Sequence, residues 1–468
     1  MGRRKKPFLE QVEITDAGAE GKAVGRVNEK VVFVPYAVPG DVVDVQVTKK
    51  RKSYYEGKIT RFHKKSERHV EPFCEHFGVC GGCKWQHMSY QDQLFFKQKQ
   101  VKDNLERIGK IDTSSMSDIL PSPGDRYYRN KLEFSFADKR WIDPDEPNIP
   151  NDSRENLGLG FHIPRIFDKV VDVKHCYLME EPANKIRLEV KRYTAENGYT
   201  YYNPRNWTGF LRNLAIRKTN TGDVLVNLVV LEEDKEQIFP LLDHLEKTFP
   251  EITSLFYTVN PKKNDSLSDL EATHYKGKDH IIEKMEDLHF KIGPLSFYQT
   301  NSEQAYRLYR VARDFAAFSG EETVYDLYTG AGTIANFVAK QVKKVVGVEY
   351  VEDAVRDARE NAQLNNIENT EFVAGDMMKI FDDEFVRQHG KPETIITDPP
   401  RAGMHPNVVQ QIRKLSPQRI VYVSCNAATQ ARDVNMLLDL YEVKAIQPVD
   451  MFPQTHHVEN VIWMEKIS

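Results

Sequence analysis

The sequence predicts an α/β chain in which a doubly wound, parallel sheet follows a small β-barrel and a central α+β region. Three observations predict it. From about residue 295, short β-branched runs alternate with helical stretches: Thr323–Tyr328, Val345–Glu349, Thr394–Asp398, Ile420–Ser424 and Val458–Trp463 each read as a strand. Repetition of strand and helix builds a parallel sheet, with ligand sites at the carboxyl ends of its strands. Residues 8–62 read as short strands with turns between them, and residues 126 to about 290 as strands with one or two helices.

In the barrel region, the apolar run Val31–Val34 meets the turn signal Pro39-Gly40 and then the nearly alternating Asp41–Val47. Lys49–Lys58 sets Tyr54 and Tyr55 among five basic residues. A small barrel so dressed suits a phosphate backbone and stacked bases, and an ordinary charged hairpin is the alternative. Leu94, Phe95, Val101, Leu105 and Ile108 recur at helical spacing and predict a helix over 91–109. Lys131–Phe136 and Val224–Leu231 are the clearest central strands, and the Pro-, Asp- and Asn-rich stretch 141–156 reads as a mobile surface loop.

At 468 residues the chain is too long for one core. No apolar run approaches the roughly 20 residues needed to span a bilayer, and Met1–Pro7 is basic with no apolar stretch behind it. A cytoplasmic protein with no membrane partner is expected. Net charge is −4, but residues 1–70 hold 16 Lys and Arg against 9 Asp and Glu, so +7 sits there and −11 on the rest. That asymmetry suggests a basic module meeting phosphates, although Arg3-Arg4-Lys5-Lys6 alone reads as a solvated tail.

Of five cysteines, Cys74, Cys80 and Cys83 fall within ten residues, and Cys176 supplies a possible fourth thiolate. Gly81-Gly82 permits a tight turn between two of them. Such a cluster in a large chain more often binds metal than forms disulfides. Four thiolates suit tetrahedral Zn or a [4Fe–4S] cluster, and spacing alone does not separate the two.

Asp326–Thr333 ends a strand and opens a helix around Gly330 and Gly332, where the backbone can approach a ligand. Glu349 ends the next strand, placed to accept the ribose hydroxyls of an adenosyl group, and Asp376 ends the third, near the adenine edge. A nicotinamide dinucleotide would also use an acid at Glu349, but the turn lacks the third glycine of G-x-G-x-x-G. Thr397–Gly403 holds Asp398 on a turn stiffened by two prolines. Cys425 follows a strand in Ser424-Cys-Asn426, and a polar cluster, Met451–Glu459, precedes the last strand. A lone cysteine after Val-Tyr-Val is ordinarily a small buried hydrophobe. Paired with a carboxylate it can do more. A thiolate adding to C6 of uracil makes C5 nucleophilic toward a sulfonium methyl, and a base such as Glu459 then removes the C5 proton so that the thiolate leaves. His456 and His457 could orient groups or meet phosphate.

Together, Ser-Cys-Asn, Asp-Pro-Pro-Arg-Ala-Gly and Phe-Pro-x-Thr-x-His-Val-Glu resemble the RNA 5-methyluridine methyltransferase family, and Asp-Leu-Tyr-Thr-Gly-Ala-Gly resembles the first motif of Class I (Rossmann-like) S-adenosyl-L-methionine-dependent methyltransferases. The resemblance implies Cys425 as nucleophile, Glu459 as base, and Gln299, Tyr328, Thr333, Glu349, Asp376 and Asp398 at the cofactor. Ala427 stands where a proline usually follows Ser-Cys-Asn, and Thr329 where many members carry cysteine; neither change removes a catalytic group. The cysteine pattern is similar to the iron–sulfur subgroup of RlmD/RumA type, which methylates uridine in 23S ribosomal RNA. This implies a [4Fe–4S] cluster on Cys74, Cys80, Cys83 and Cys176, with Zn the alternative. It also divides the chain into a TRAM-like barrel (1–63), a central domain with the cysteine site and an RNA-contacting sheet (64–290), and a catalytic domain (291–468). A monomer with no obligate protein partner is expected. A tRNA-directed enzyme and a non-catalytic RNA-binding or assembly factor are the alternatives.

Overall fold

The computed structural model describes residues 6–143, 145–146, 149–150 and 153–467. Arg3, Arg4 and Lys5 of the basic tail lie outside them, as do residues 144, 147–148 and 151–152 of the 141–156 loop. In the described part of that loop, Arg140 donates to Glu146 at 2.6 and 3.1 Å.

The expected barrel is present. Strands β1 (Phe8–Ala17), β2 (Ala23–Val27), β3 (Lys30–Val34), β4 (Val42–Lys50) and β5 (Tyr54–Lys64) close in the order β1-β2-β3-β5-β4. Alternation puts Val12, Ile14, Val32, Val34, Val43 and Val45 inside, all buried. Helix α1 (Tyr90–Arg107) follows the cysteine-rich segment. The Ser89 side chain caps it by accepting the Asp92 N–H at 3.1 Å. Its Leu94, Val101 and Leu105 join the core of the C-terminal sheet.

The central region is a seven-stranded sheet. It contains β6 (Lys131–Ala137), β7 (Gly158–Ile163), β8 (Ile166–Asp172), β9 (Leu211–Lys218), β10 (Val224–Val230), β11 (Ser254–Val259) and β12 (Ala272–Gly277), in the order β12-β11-β10-β9-β6-β7-β8. Helices α2 (Ala183–Glu196) and α3 (Lys235–Thr248) pack their buried Ile186, Val190, Leu241 and Leu245 on it. The hairpin β13 (Ile281–Met285) and β14 (Leu288–Ile292) follows, and its apolar side enters the core of the C-terminal sheet.

That sheet is built from α4 (Ser302–Ala316), β15 (Thr323–Leu327), α5 (Thr333–Ala339), β16 (Lys344–Glu349), α6 (Glu352–Leu364), β17 (Thr370–Ala374), α7 (Met377–Ile380), α8 (Asp383–His389), β18 (Thr394–Thr397), α9 (Pro406–Leu415), β19 (Arg419–Ser424), α10 (Ala427–Asn435), β20 (Tyr441–Val449) and β21 (Glu459–Lys466). The strand order is β17-β16-β15-β18-β19-β21-β20. The pairs from β17 to β19 are parallel, as expected. The expectation of a wholly parallel sheet fails at the other edge, where β21 runs antiparallel between β19 and β20. The link from β20 to β21, residues 450–458, carries no helix and so cannot make the crossover that a parallel return needs. Strand β20 itself was not anticipated, because Glu442, Lys444, Gln447 and Pro448 interrupt its apolar pattern. Among the described residues no helix is long and apolar enough to cross a membrane.

Candidate active site and cysteine cavity

The site lies where β15, β16, β18 and β19 end and β21 begins. Between β15 and α5 the chain turns through Tyr328, Gly330 and Gly332 at φ of 67, 54 and 74°. A Cβ at Gly332 would lie 2.8 Å from Ala358 Cβ and 3.0 Å from Phe372, so the second glycine is required by packing. A Cβ at Gly330 would meet nothing within 4 Å, which leaves open room beside the helix start at Thr333. Glu349 buttresses this turn, accepting N–H groups from Gly330 (3.1 Å), Tyr350 (2.9 Å) and Val351 (3.0 Å). A carboxylate has about four lone-pair sites, so capacity remains for ribose hydroxyls. Asp376 caps α7 through the Met378 N–H at 3.1 Å. The Tyr328 hydroxyl is raised to about 12 by burial and then by Asp433, with Asp376 and Glu349 adding to it. Tyr328, Glu349 and Asp376 thus converge on one side of the turn.

Deeper in, three carboxyl groups crowd together. Asp326 is buried, accepts from Thr329 Oγ1 (2.5 Å) and the Ala335 N–H (3.0 Å) on Oδ2, and leaves Oδ1 without a partner. Burial, and then Glu349, pushes it up to about 7. Asp398, partly exposed after β18, is pushed up to about 7 by desolvation and by Asp326. Glu459, buried at the start of β21, is pushed up to about 8 by burial and by Asp398, while Arg401 opposes the shift. A cation between these acids would relieve all three. The buried orphan oxygen of Asp326 and the open space at Gly330 therefore fit a sulfonium cofactor bearing an amino group.

Cys425 sits between β19 and α10. Pairing of Ser424 with Asn460 across β19 and β21 brings it beside Glu459. Its thiol is pushed up to about 11 by burial, then by Glu459 and Asp398, with Arg401 opposing. Asn426 caps α10 through the Ala428 N–H (3.1 Å) and donates to Arg401 O (2.9 Å), tying the cysteine turn to the proline turn. Gln299, whose carbonyl accepts from Asn130 at 2.8 Å, lies beside Tyr309, whose hydroxyl is raised by burial and then by Asp398, with Asp326 and Glu459 adding to it.

Cys425, Glu459, Asp398 and Gln299 are thus brought together, and Tyr328, Thr333, Glu349 and Asp376 line the adjoining turn. Four neighbours were not singled out from sequence. Asp326 and Arg401 lie inside motifs already read, whereas Tyr309 is one apolar position of helix α4 with no local signal. Arg129 also borders the site: its guanidinium lies 5.1 Å from the Phe452 ring centroid, and its Nε is buried without a partner. His456 and His457 are pushed down to about 4 and 3 by burial and neighbouring cations, so both are neutral at pH 7.

Cys74, Cys80, Cys83 and Cys176 line one cavity together with Phe77, Phe161 and Leu178. Gly81 is packed so closely that a Cβ would lie 2.6 Å from His162 O, and the Gly82 N–H donates to Cys80 Sγ at 3.4 Å. Gln86 accepts the Cys74 N–H at 3.2 Å, and Asn184 brackets Cys176 at 2.8 and 3.1 Å. Burial pushes Cys80 up to about 12 and Cys176 to about 11, with the other thiols adding to the shift. Such a nest of thiols is costly to ionise without a cation. Among the described residues, no three His, Cys, Asp or Glu side chains converge tightly enough for a single ion; the four thiols surround a common void instead.

Residues 273–467 match the family described as tRNA (Uracil-5-)-methyltransferase, and residues 10–60 match the TRAM domain. The chain is 53% identical over 450 residues to an "Uncharacterized RNA methyltransferase" of Bacteroides thetaiotaomicron, covering 96% of this chain and 99% of the relative. A similarly named protein of Porphyromonas gingivalis is 50% identical over 458 residues, covering 96% and 98%. The chain belongs to the RNA (uracil-5) methyltransferase family. Among solved structures, the Pyrococcus abyssi tRNA (uracil-54, C5)-methyltransferase in complex with S-adenosyl-L-homocysteine is 29% identical. It covers 97% of this chain and all of its own, with a TM-score of 0.75. The barrel is thus a TRAM domain and the C-terminal sheet a methyltransferase fold dependent on S-adenosyl-L-methionine.

Proposed function

We propose that this enzyme methylates C5 of a uridine in 23S ribosomal RNA, with Cys425 as nucleophile and Glu459 as general base. The observation that carries the chemistry is the buried placement of Glu459 beside Cys425, next to the glycine turn; the choice of 23S RNA rests on the resemblance of the cysteine pattern to the iron–sulfur subgroup. The Cys425 thiolate adds to C6 and shifts electron density to C5. S-adenosyl-L-methionine supplies the methyl group that C5 then takes. Glu459, ionised, removes the remaining C5 proton, and the electron pair of that C–H bond reforms the C5–C6 double bond and expels the thiolate. A carboxyl group held near 8 is matched to proton transfer at neutral pH. Asp326, Asp398, Gln299, Tyr328, Thr333, Glu349 and Asp376 would bind and orient the cofactor. Loss of the thiol proton is the demanding step for Cys425; Arg401 and the cofactor's positive charge favour the thiolate.

Cys74, Cys80, Cys83 and Cys176 would hold a [4Fe–4S] cluster, which supports the fold and RNA docking. The resemblance of the cysteine pattern to the iron–sulfur subgroup supports a cluster over the Zn alternative. Anaerobic purification followed by iron and acid-labile sulfide assays tests this; zinc at one per chain would reject it. The enzyme acts as a cytoplasmic monomer without an obligate protein partner.

A second reading, tRNA as substrate, has a specific observation behind it. The Pyrococcus abyssi neighbour is a tRNA (uracil-54, C5)-methyltransferase and matches this chain across 97% of its length, barrel region included. The presence of a barrel therefore does not separate the two substrates. Mapping 5-methyluridine in ribosomal RNA and tRNA from a deletion strain decides: a site lost from 23S RNA supports the first reading, and one lost from tRNA alone the second.

A further inference from the structure

The loop that ends at Glu459 is held by α1 and by the segment that follows Cys83. Residues 450–458 carry no helix or strand. Gln454 at their centre has φ of 66°, a left-handed conformation that a non-glycine residue keeps only when its surroundings impose it. Gln93 on α1, 1% exposed, imposes it from two sides. Its Oε1 accepts the Gln454 N–H at 2.9 Å, and its Nε2 donates to Gln454 Oε1 at 3.0 Å. Nε2 is itself aligned by Trp85 O and Met88 O at 3.1 and 3.0 Å. The carbonyl of Gln454 accepts the N–H groups of Lys84 (2.8 Å) and Trp85 (3.1 Å), the residues that follow Cys83. One turn along α1 from Gln93, Lys97 is fully buried and donates to Asp450 Oδ1 at 2.5 Å and Phe452 O at 3.1 Å. Neither Gln93 nor Lys97 shares a hydrogen bond with the glycine turn or with Cys425; the loop they hold also accepts the Asn301 side chain at Met451 O (2.9 Å), so KM for the cofactor is the control that separates the Glu459 side from the cofactor side.

We infer that Gln93 and Lys97 are positioning residues for the proton-removal step: they fix the loop that sets the Glu459 carboxylate against C5, and leave addition and methyl transfer to other groups. This rests on the reading of Glu459 as the base. Loosening the clamp then slows the last step selectively, and the methylated Cys425–RNA adduct accumulates on ordinary uridine RNA.

The test uses the full-length enzyme, RNA without fluorinated bases and methyl-labelled cofactor, with adduct read on denaturing gels. Glu459→Gln is the reference and should trap a labelled adduct. Gln93→Met keeps the shape of the side chain and removes its hydrogen bonds. Gln454→Gly removes the side-chain bonds to Gln93 and Asp125 without adding backbone strain at φ of 66°, which keeps the proposal testable if Gln93→Met fails to fold. Both should lower kcat by about ten- to a hundredfold, leave KM for cofactor unchanged and accumulate the labelled adduct. Lys97→Arg, which keeps the charge, should lose less than Lys97→Met. Wild-type turnover in the Gln93 and Gln454 variants, or slow turnover with no adduct, overturns the positioning role while Glu459→Gln still traps. Failure of Glu459→Gln itself to trap an adduct overturns the base assignment, and the inference with it.

Discussion

Replacing Glu459 by Gln should stabilise the free enzyme, and by more as pH rises. The carboxyl group is buried and pushed up to about 8, against an ordinary value near 4.5. Its protonated form therefore contributes stability that is fully present below the ordinary glutamate range and is lost as pH rises through about 8. Between pH 5.5 and 8 the folded protein must either keep a proton that the unfolded chain has released or ionise a buried acid. At about 1.4 kcal/mol per pH unit this amounts to roughly 3 kcal/mol over that window. Glutamine carries no such dependence. Denaturant unfolding at pH 5.5, 7 and 8, followed by a probe in the catalytic domain, should show the variant gaining on wild type by a few kcal/mol across the series. Parallel pH profiles for the two proteins would refute the burial of this acid and the charge coupling built on it.

Cofactor binding near pH 7 should release protons, because a sulfonium placed near Asp326 and Asp398, both near 7, favours their ionised forms. Calorimetry in buffers of different ionisation enthalpy measures the release, and Asp398→Asn should reduce it. Gly332→Ala should lose cofactor affinity and about 1–3 kcal/mol of stability, since its Cβ would sit 2.8 Å from Ala358; cofactor titration and thermal melts report both. Cys80→Ser should disturb fold or RNA affinity more than the chemical step. A soluble variant that binds RNA tightly yet shows a large loss in single-turnover rate would contradict that role for the cysteine cavity.

Five of the site residues read from sequence share a physical property: each lies at or just after a strand end. A parallel strand must stop at the same edge as its neighbours, so Tyr328, Glu349, Asp376, Asp398 and Cys425 fall on one rim once the strands are recognised. Glu459 reaches the same rim by the opposite route, because β21 is antiparallel and places its first residue there. Contacts that span the chain left no local pattern. Gln93 and Gln454 are 361 positions apart, and Lys97 and Asp450 are 353. On α1, Gln93 and Lys97 each look like an ordinary solvated position until the partner arrives. Tyr309 likewise looked like one more apolar position of an amphipathic helix. The hairpin β13–β14 precedes the alternating region in sequence, yet its Ile281, Leu288 and Phe290 pack in the core of the sheet that follows.

Mass spectrometry of the enzyme incubated with cofactor and 5-fluorouridine RNA tests the covalent mechanism most directly. Fluorine at C5 cannot leave as a proton does, so the last step is blocked. A peptide spanning Cys425 should carry a methylated, fluorinated nucleotide through its sulfur, and Cys425→Ala should give none while still binding RNA. An enzyme that methylates ordinary uridine RNA yet forms no such adduct, or forms it through another residue, would contradict nucleophilic catalysis by Cys425.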